Sequence, residues 1–199
     1  MYVYRVEGVR GLQKNPMDAY RRFFSGDAEA AGALIAVYSD SLVRFAYRYL
    51  KDADLAEDAA EDAFIALLLK RRHFTEECQL RTYLYRAVRS RAIDLLRKRA
   101  REVSLDDVEG ILSETAAEGS DPERIVLSEE RNAAVRRCIA ALPLQYREAL
   151  LLCYFENLDT DSIADVMRRS KKQVYNLLTR ARASLKERLI QEGFTNEDL

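Results

Sequence analysis

Between Ser170 and Ala181 the chain carries Lys171, Lys172, Gln173, Tyr175, Asn176, Thr179 and Arg180. That is a dense set of small polar and cationic side chains within about three helical turns. Cations of this kind hold phosphates, while Asn, Gln and Thr can read the edges of bases. The chemistry implied is recognition of nucleic acid. Bond-making chemistry has no comparable set. His73 is the sole histidine, and the chain lacks a Cys/His/carboxylate cluster, a nucleophile–base pair and a Gly-rich phosphate loop. A binding protein is expected rather than an enzyme, with no cofactor and no metal.

A helix has to present those side chains on one side. Ser170 followed by Gln173 is an S-x-x-Q capping box, so a helix is predicted to start there. Val174, Leu178, Ala181 and Leu185 recur at steps of four, three and four, which makes one buried stripe. Lys172, Tyr175, Asn176, Thr179 and Ala183 fall on the opposite side, with Lys171, Arg180 and Arg182 on the flanks. A short helix from Asp159 to about Arg168 precedes it. Two helices in this order form a helix-turn-helix, whose second helix enters the major groove.

Composition narrows the remainder. The 199 residues suit one larger or two small domains, and the apolar content is enough to bury real cores. Net charge is only −1, so the whole molecule is not a general polyanion binder. The charges are segregated, and local sign governs recognition. Cys78, Cys138 and Cys153 are odd in number and far apart, which suits reduced thiols. No apolar run approaches the ~20 residues of a membrane span. The opening MYVYRVEGVRGLQKN lacks the apolar core of a signal peptide. No membrane insertion is expected, and the expected location is cytoplasmic.

Helical periodicity runs through almost every segment. Helices are predicted over 17–24 and 29–49, separated by the turn Ser25-Gly26-Asp27, then over 55–71 and from about Leu80 to Arg101. A loop, His73 to Gln79, separates the last two. Between Glu102 and Asp121 the apolar stripe disappears and every charge after Glu102 is acidic, as in SLDDVEGILSETAAEGSD. Asp121-Pro122-Glu123 then restarts a helix, with Asp as N-cap and Pro in the first position. The expected fold is all-α: two small helical domains joined by a flexible acidic linker, the C-terminal one a helix-turn-helix. The boundaries expected are an extension over 1–16, a first domain over 17–101, a linker over 102–121, a second domain over 122–192 and a tail over 193–199.

The first domain carries two faces of opposite charge. Asp54, Asp58, Glu61 and Asp62 share one side of their helix, continued by Ile65 and Leu69, while Ala56, Ala60, Ala63, Phe64 and Leu67 form a core stripe. An acidic patch running into apolar residues suits a basic partner helix. The following helix is its mirror image. Leu84, Val88, Ala92 and Leu95 are expected inward, with Tyr83, Arg86, Ser90 and Arg97 outward and Arg89 and Lys98 adding to the positive field. Arginines beside an aromatic ring suit a nucleic-acid strand, with Tyr83 stacking on an unpaired base.

Taken in order, these segments resemble the sigma-70 family of bacterial RNA polymerase sigma factors, of the extracytoplasmic-function type that keeps only the sigma-2 and sigma-4 domains. AEDAAEDAFIALLL at Ala56–Leu69 is similar to the polymerase-docking helix of region 2. LRTYLYRAVRSRAIDLLRKR at Leu80–Arg99 is similar to the helix that melts and reads the minus-ten element, and the segment from Leu142 onward resembles region 4, which binds the minus-thirty-five element. The resemblance runs from about Phe23 to Leu189. It implies a factor that binds core RNA polymerase and directs promoter-specific initiation.

By that resemblance Asp58, Glu61, Asp62, Ile65 and Leu69 would meet the clamp helices of the largest polymerase subunit, and the polymerase flap is a further implied contact. Tyr83, Arg86, Arg89, Ser90, Arg97 and Lys98 would bind minus-ten DNA, and the loop His73–Leu80 would pocket a flipped base. Lys171, Lys172, Gln173, Tyr175, Asn176, Thr179 and Arg180 would bind minus-thirty-five DNA. An anti-sigma factor is a further implied partner. Arg168 and Arg169 stand in the helix-turn-helix turn where the family usually has Gly and an aliphatic residue, so the turn must accept a left-handed non-Gly residue or change shape. Two other readings stay open on the sequence alone. One is a stand-alone helix-turn-helix regulator. The other is a degenerate sigma-like protein that binds polymerase or an anti-sigma factor without initiating.

Overall fold

The computed structural model describes residues 16–70, 72–103 and 129–195. Every regular element among them is helical. The chain divides into two compact units, Met1–Leu96 and Arg97–Leu199. The expected linker keeps helical backbone at residues 102 and 103; residues 104–121, and the helix restart at Asp121-Pro122-Glu123, lie outside the described residues.

The first unit contains α1 (Pro16–Phe24), α2 (Ala30–Leu50), α3 (Ala53–Lys70) and most of α4 (Glu77–Val103). Pro16 opens α1, where its missing N–H removes no helical bond. The turn after α1 is the expected Ser25-Gly26-Asp27. Gly26 adopts φ 104°, which a side chain would resist, and Asp27 receives Arg22 at 2.6 Å and the Glu29 backbone N–H at 3.1 Å. Helix α2 ends at Lys51, left-handed at φ 52°, and Asp52 caps α3 by accepting the Leu55 N–H at 3.2 Å.

Small side chains set how α3 lies in the unit. Ala56, Ala59, Ala60 and Ala63 are all 2% exposed or less, so its buried side brings backbone close to its neighbours. Leu67 and Phe64 extend the same side. Phe45 of α2 meets Tyr85 of α4 edge-on at 5.1 Å, and burial of each such ring stabilises by roughly 1.5–3 kcal/mol. Tyr38 of α2 donates to Glu77 Oε1 at 3.2 Å at the start of α4, and burial pushes its phenol well above the usual range.

Helix α4 begins three residues earlier than the periodicity predicts, at Glu77 and not Leu80. The Gln79 side chain accepts the Thr75 N–H at 3.2 Å and Oγ1–H at 3.3 Å, which closes the entry turn. The loop before it therefore shortens to residues 72–76. Inward positions include Leu84, Val88 and Ala92 as expected, but the fourth is Leu96, 8% exposed, while Leu95 is only half-buried.

The second unit contains α5 (Glu129–Ala140), α6 (Leu144–Leu150), a π-helical turn (Leu151–Phe155), α7 (Thr160–Met167) and α8 (Lys171–Gln191). Leu142, Leu150 and Ala181 meet in its core, with Tyr146 and Leu185 packed against them. Arg137 of α5 pairs with Glu192 at 3.0 Å, at the far end of α8.

Candidate nucleic-acid interface

The helix-turn-helix is built by two caps and one unusual turn. Asp159 accepts the Ser162 N–H at 2.7 Å and so starts α7. That bond, together with the Ser162 hydroxyl, holds the Asp159 carboxyl below the usual carboxylate range. At the other end Arg168 is left-handed, at φ 52° and ψ 49°. Its N–H lies 3.3 Å from the Asp165 carbonyl, and the Arg169 N–H lies 3.0 Å from the Ala164 carbonyl. This is the pair of bonds that defines a Schellman closure. The turn keeps a standard path and Arg168 absorbs the strain. Arg169 then reaches Gln145 Oε1 at 2.8 Å, tying the turn to α6.

Helix α8 starts with the expected reciprocal capping box. Ser170 Oγ accepts the Gln173 N–H at 3.2 Å, and Gln173 Oε1 accepts the Ser170 N–H at 2.8 Å. Val174, Leu177, Leu178 and Ala181 are buried, the Leu177 contribution being one that the stripe did not include. The Lys171, Lys172, Gln173, Tyr175, Asn176, Thr179 and Arg180 side chains are all exposed, Tyr175 at 66%. All seven sequence-derived positions therefore share the solvent side of one rigid helix.

Their heads are not equally available. Lys171 pairs with Asp161 of α7 at 2.8 Å, and this bond raises its ammonium above the usual lysine value. Gln173 has its oxygen engaged by the cap, so its NH2 is what remains for DNA. Thr179 donates its hydroxyl to the Tyr175 carbonyl at 3.0 Å. Arg182, expected on a flank, turns instead to Tyr154, with Nε 2.7 Å from the phenol oxygen and the guanidinium 5.5 Å from the ring centroid. Tyr154 and Phe155, 57% and 68% exposed, sit on the π-helical turn and were not singled out from the sequence. A Tyr-Phe pair closing an apolar run was the one available signal.

On α4 the expected outer stripe needs one correction. Tyr83 is 6% exposed, not outward. Its ring lies 5.4 Å from Phe74, and Arg72 covers it at 5.3 Å. Phe74 in turn meets Tyr20 of α1 at 5.5 Å, and the Tyr20 hydroxyl donates to the Arg72 carbonyl. Burial, with Tyr83 nearby, pushes the Tyr20 phenol up to about 12. Tyr83 thus supports the short loop before α4 and offers no ring to a base in this conformation. Arg86, Arg89 and Ser90 are half-buried, and Arg97 and Lys98 are exposed.

On α3 the acidic side is exposed at Asp58 and Glu61, and it continues into Ile65 and Leu69, 51% and 77% exposed. Asp62 differs from the other two. It is half-buried and pairs with Arg91 of α4 at 2.5 Å. Among the described residues no group of three side chains could hold a metal ion, and no helix is long and apolar enough to cross a membrane.

Comparison with known proteins bears on both units. Sigma-70 region 2 matches residues 34–102, and sigma-70 region 4 matches residues 132–185. The RNA polymerase sigma-H factor of Pseudomonas aeruginosa is 30% identical over 183 residues, 89% of this chain and 95% of that protein. The ECF RNA polymerase sigma factor SigW of Bacillus subtilis is 29% identical over 170 residues, 82% of this chain and 91% of that protein. Among solved structures, the sigma factor RpoE of Bartonella quintana, in complex with the anti-sigma factor NepR, superposes with a TM-score of 0.60. It is 22% identical and covers 80% of this chain and 96% of its own. CnrH, in complex with the cytosolic domain of CnrY, superposes with a TM-score of 0.54 at 20% identity, covering 90% and 98%. At such identities the structures attest the fold. Region 2 spans the acidic helix and α4, region 4 spans the helix-turn-helix, and the order is kept over nearly the whole length of the relatives; the chain belongs to the sigma-70 family of RNA polymerase sigma factors, as a member of the extracytoplasmic-function type.

Proposed function

We propose that this sigma factor divides its work among three surfaces. It directs transcription initiation by RNA polymerase. In the division proposed, Asp58, Glu61, Ile65 and Leu69 dock on the basic clamp helices of the largest polymerase subunit. Asp62 helps through Arg91 by fixing α3 against α4. Arg86, Arg89, Ser90, Arg97 and Lys98 follow the separated minus-ten strand. The exposed side of α8 enters the major groove at the minus-thirty-five element, while the second unit rests on the polymerase flap. Domain limits near 17–101 and 122–192, with the acidic stretch between them, suit two elements read separately on one promoter.

The observation that carries this proposal is the exposed side of α8. Three cations and four uncharged polar side chains occupy one side of a helix that is capped at its start and preceded by a closed turn. Such a helix can hold phosphates and read base edges together. The protein acts by binding, not by catalysis, and works in the cytoplasm beside polymerase. An anti-sigma partner is part of the proposal. Its support is the Bartonella quintana sigma factor solved in complex with the anti-sigma factor NepR.

Transcription from a library of promoter fragments tests the division of labour. Core polymerase with this chain should give discrete starts that core alone does not give. Starts unchanged by the protein, with a palindromic site protected in the absence of polymerase, would favour a stand-alone regulator.

A further inference from the structure

We infer that Thr179 recognises a thymine 5-methyl group through its own methyl, Cγ2, and does not donate a hydrogen bond to a base from its hydroxyl. The inference rests on α8 being the helix that enters the major groove.

A threonine hydroxyl has a single proton to donate. At Thr179 that proton is committed to the Tyr175 carbonyl, 3.0 Å away and one helical turn back. Donation to a base would require that bond to break. A β-branched side chain also has little freedom at χ1, and in a helix only two of its three wells are open, the third clashing with the preceding turn. With Oγ1 folded back onto the helix, Cγ2 is the branch of the side chain left without a partner in the helix. The residue is exposed, so the group it offers to an approaching duplex is a methyl already fixed in place.

The 5-methyl of thymine lines the major groove, and apolar contact with a threonine methyl is one of the ways that base is distinguished. Asn176 lies one turn before Thr179 on the same exposed side, where its amide can pair with adenine N6 and N7. Together the two residues suit a step containing A·T pairs. The hydroxyl serves the helix and the methyl serves the DNA.

The test uses polymerase holoenzyme containing the full chain, bound to promoter duplexes that carry the preferred minus-thirty-five sequence. Each thymine there is replaced singly by deoxyuracil, which lacks only the methyl. Wild type, Thr179→Val and Thr179→Ser are compared, with helicity confirmed by circular dichroism. Thr179→Val should bind within about twofold of wild type. Thr179→Ser should lose about fourfold, the worth of one buried methyl group. Deoxyuracil at one position should cost wild type and Thr179→Val the same factor and leave Thr179→Ser unaffected. A wild-type-like Thr179→Ser together with a weakened Thr179→Val would overturn the inference in favour of the hydroxyl. Indifference of wild type to every deoxyuracil, with preferred and scrambled DNA still distinguished, would overturn it while leaving α8 as the reader. Failure of wild type to distinguish the two DNAs would overturn the DNA reading itself.

Discussion

Arg91 Nε lies 2.5 Å from Asp62 Oδ2, so the basic helix α4 is pinned to the acidic helix α3 at the edge of the acidic side. Both side chains are 45% exposed, and a pair this open is worth at most about 1 kcal/mol. Its consequence is positional. Asp58 and Glu61 are exposed to a partner while Asp62 is engaged inside the unit. Charge reversal of Asp58 and Glu61 to Lys should weaken the complex with core polymerase sharply and leave thermal stability unchanged. The exchange Asp62→Lys with Arg91→Glu should restore the internal pair and bind core more tightly than the Asp58/Glu61 variant. Core affinity that is indifferent to Asp58 and Glu61 would remove the docking role of that side.

Tyr83 and the arginines of α4 should separate cleanly. Truncating a buried ring leaves a cavity, so Tyr83→Ala should cost about 3–5 kcal/mol in urea unfolding. Arg86→Ala with Arg97→Ala should cost clearly less than Tyr83→Ala in the same assay. That pair should lower permanganate reactivity of the melted bubble more than closed-complex affinity. Native-like stability in Tyr83→Ala would contradict the buried placement of the ring.

Much of this arrangement is legible in the residues, and the failures have identifiable causes. The capping box at Ser170 and Gln173, the helix start near Asp159 and the buried stripe of α8 all follow from local rules, because a helix end and a helix face are decided within a few residues. Tyr83 fails because α4 is buried over more than one stripe: Tyr83, Leu84 and Tyr85 are adjacent in sequence and all 6% exposed or less. A single-face reading sends one of them to solvent. The spacing of three from Leu80, itself fully buried, was the available signal. Arg182 fails for a different reason. Its partner, Tyr154, lies 28 positions earlier in the chain, and no local pattern brings the two together.

The left-handed turn residue makes a stability prediction. Arg168 at φ 52° carries a backbone cost of roughly 1–2 kcal/mol that Gly avoids, partly offset by the greater freedom of Gly in the unfolded chain. Arg168→Gly should therefore raise stability by about 0.5–1 kcal/mol, and Arg168→Val should lower it. Chemical denaturation of the two variants checks the sign. A destabilised Arg168→Gly would mean that the Arg168 side chain outweighs its backbone strain.

The Asp159 cap makes a pH prediction. Its carboxyl is lowered in the folded chain by the Ser162 backbone bond, against an ordinary aspartate value of about 3.9 when unfolded. A lowered folded value means that the stabilisation is fully present above the unfolded value and is lost as pH falls through the folded one. Asp159→Ala should cost roughly 0.5–2 kcal/mol at neutral pH. Asp159→Asn keeps a capping oxygen without titrating, so its stability should fall less than that of wild type as pH is lowered from about 5 to about 2. Parallel acid profiles for wild type and the Asp159→Asn variant would exclude the cap as a source of acid sensitivity.

Binding of holoenzyme to preferred and scrambled minus-thirty-five DNA, at two salt concentrations, decides whether one side of α8 both holds and reads. Lys172→Ala and Arg180→Ala should weaken both DNAs alike and flatten the salt dependence by about one unit of slope per contact. Asn176→Ala should cost roughly 1–3 kcal/mol on the preferred sequence, much less on the scrambled one, and leave the salt slope unchanged. Equal losses on both DNAs for Asn176→Ala would contradict base reading by this helix.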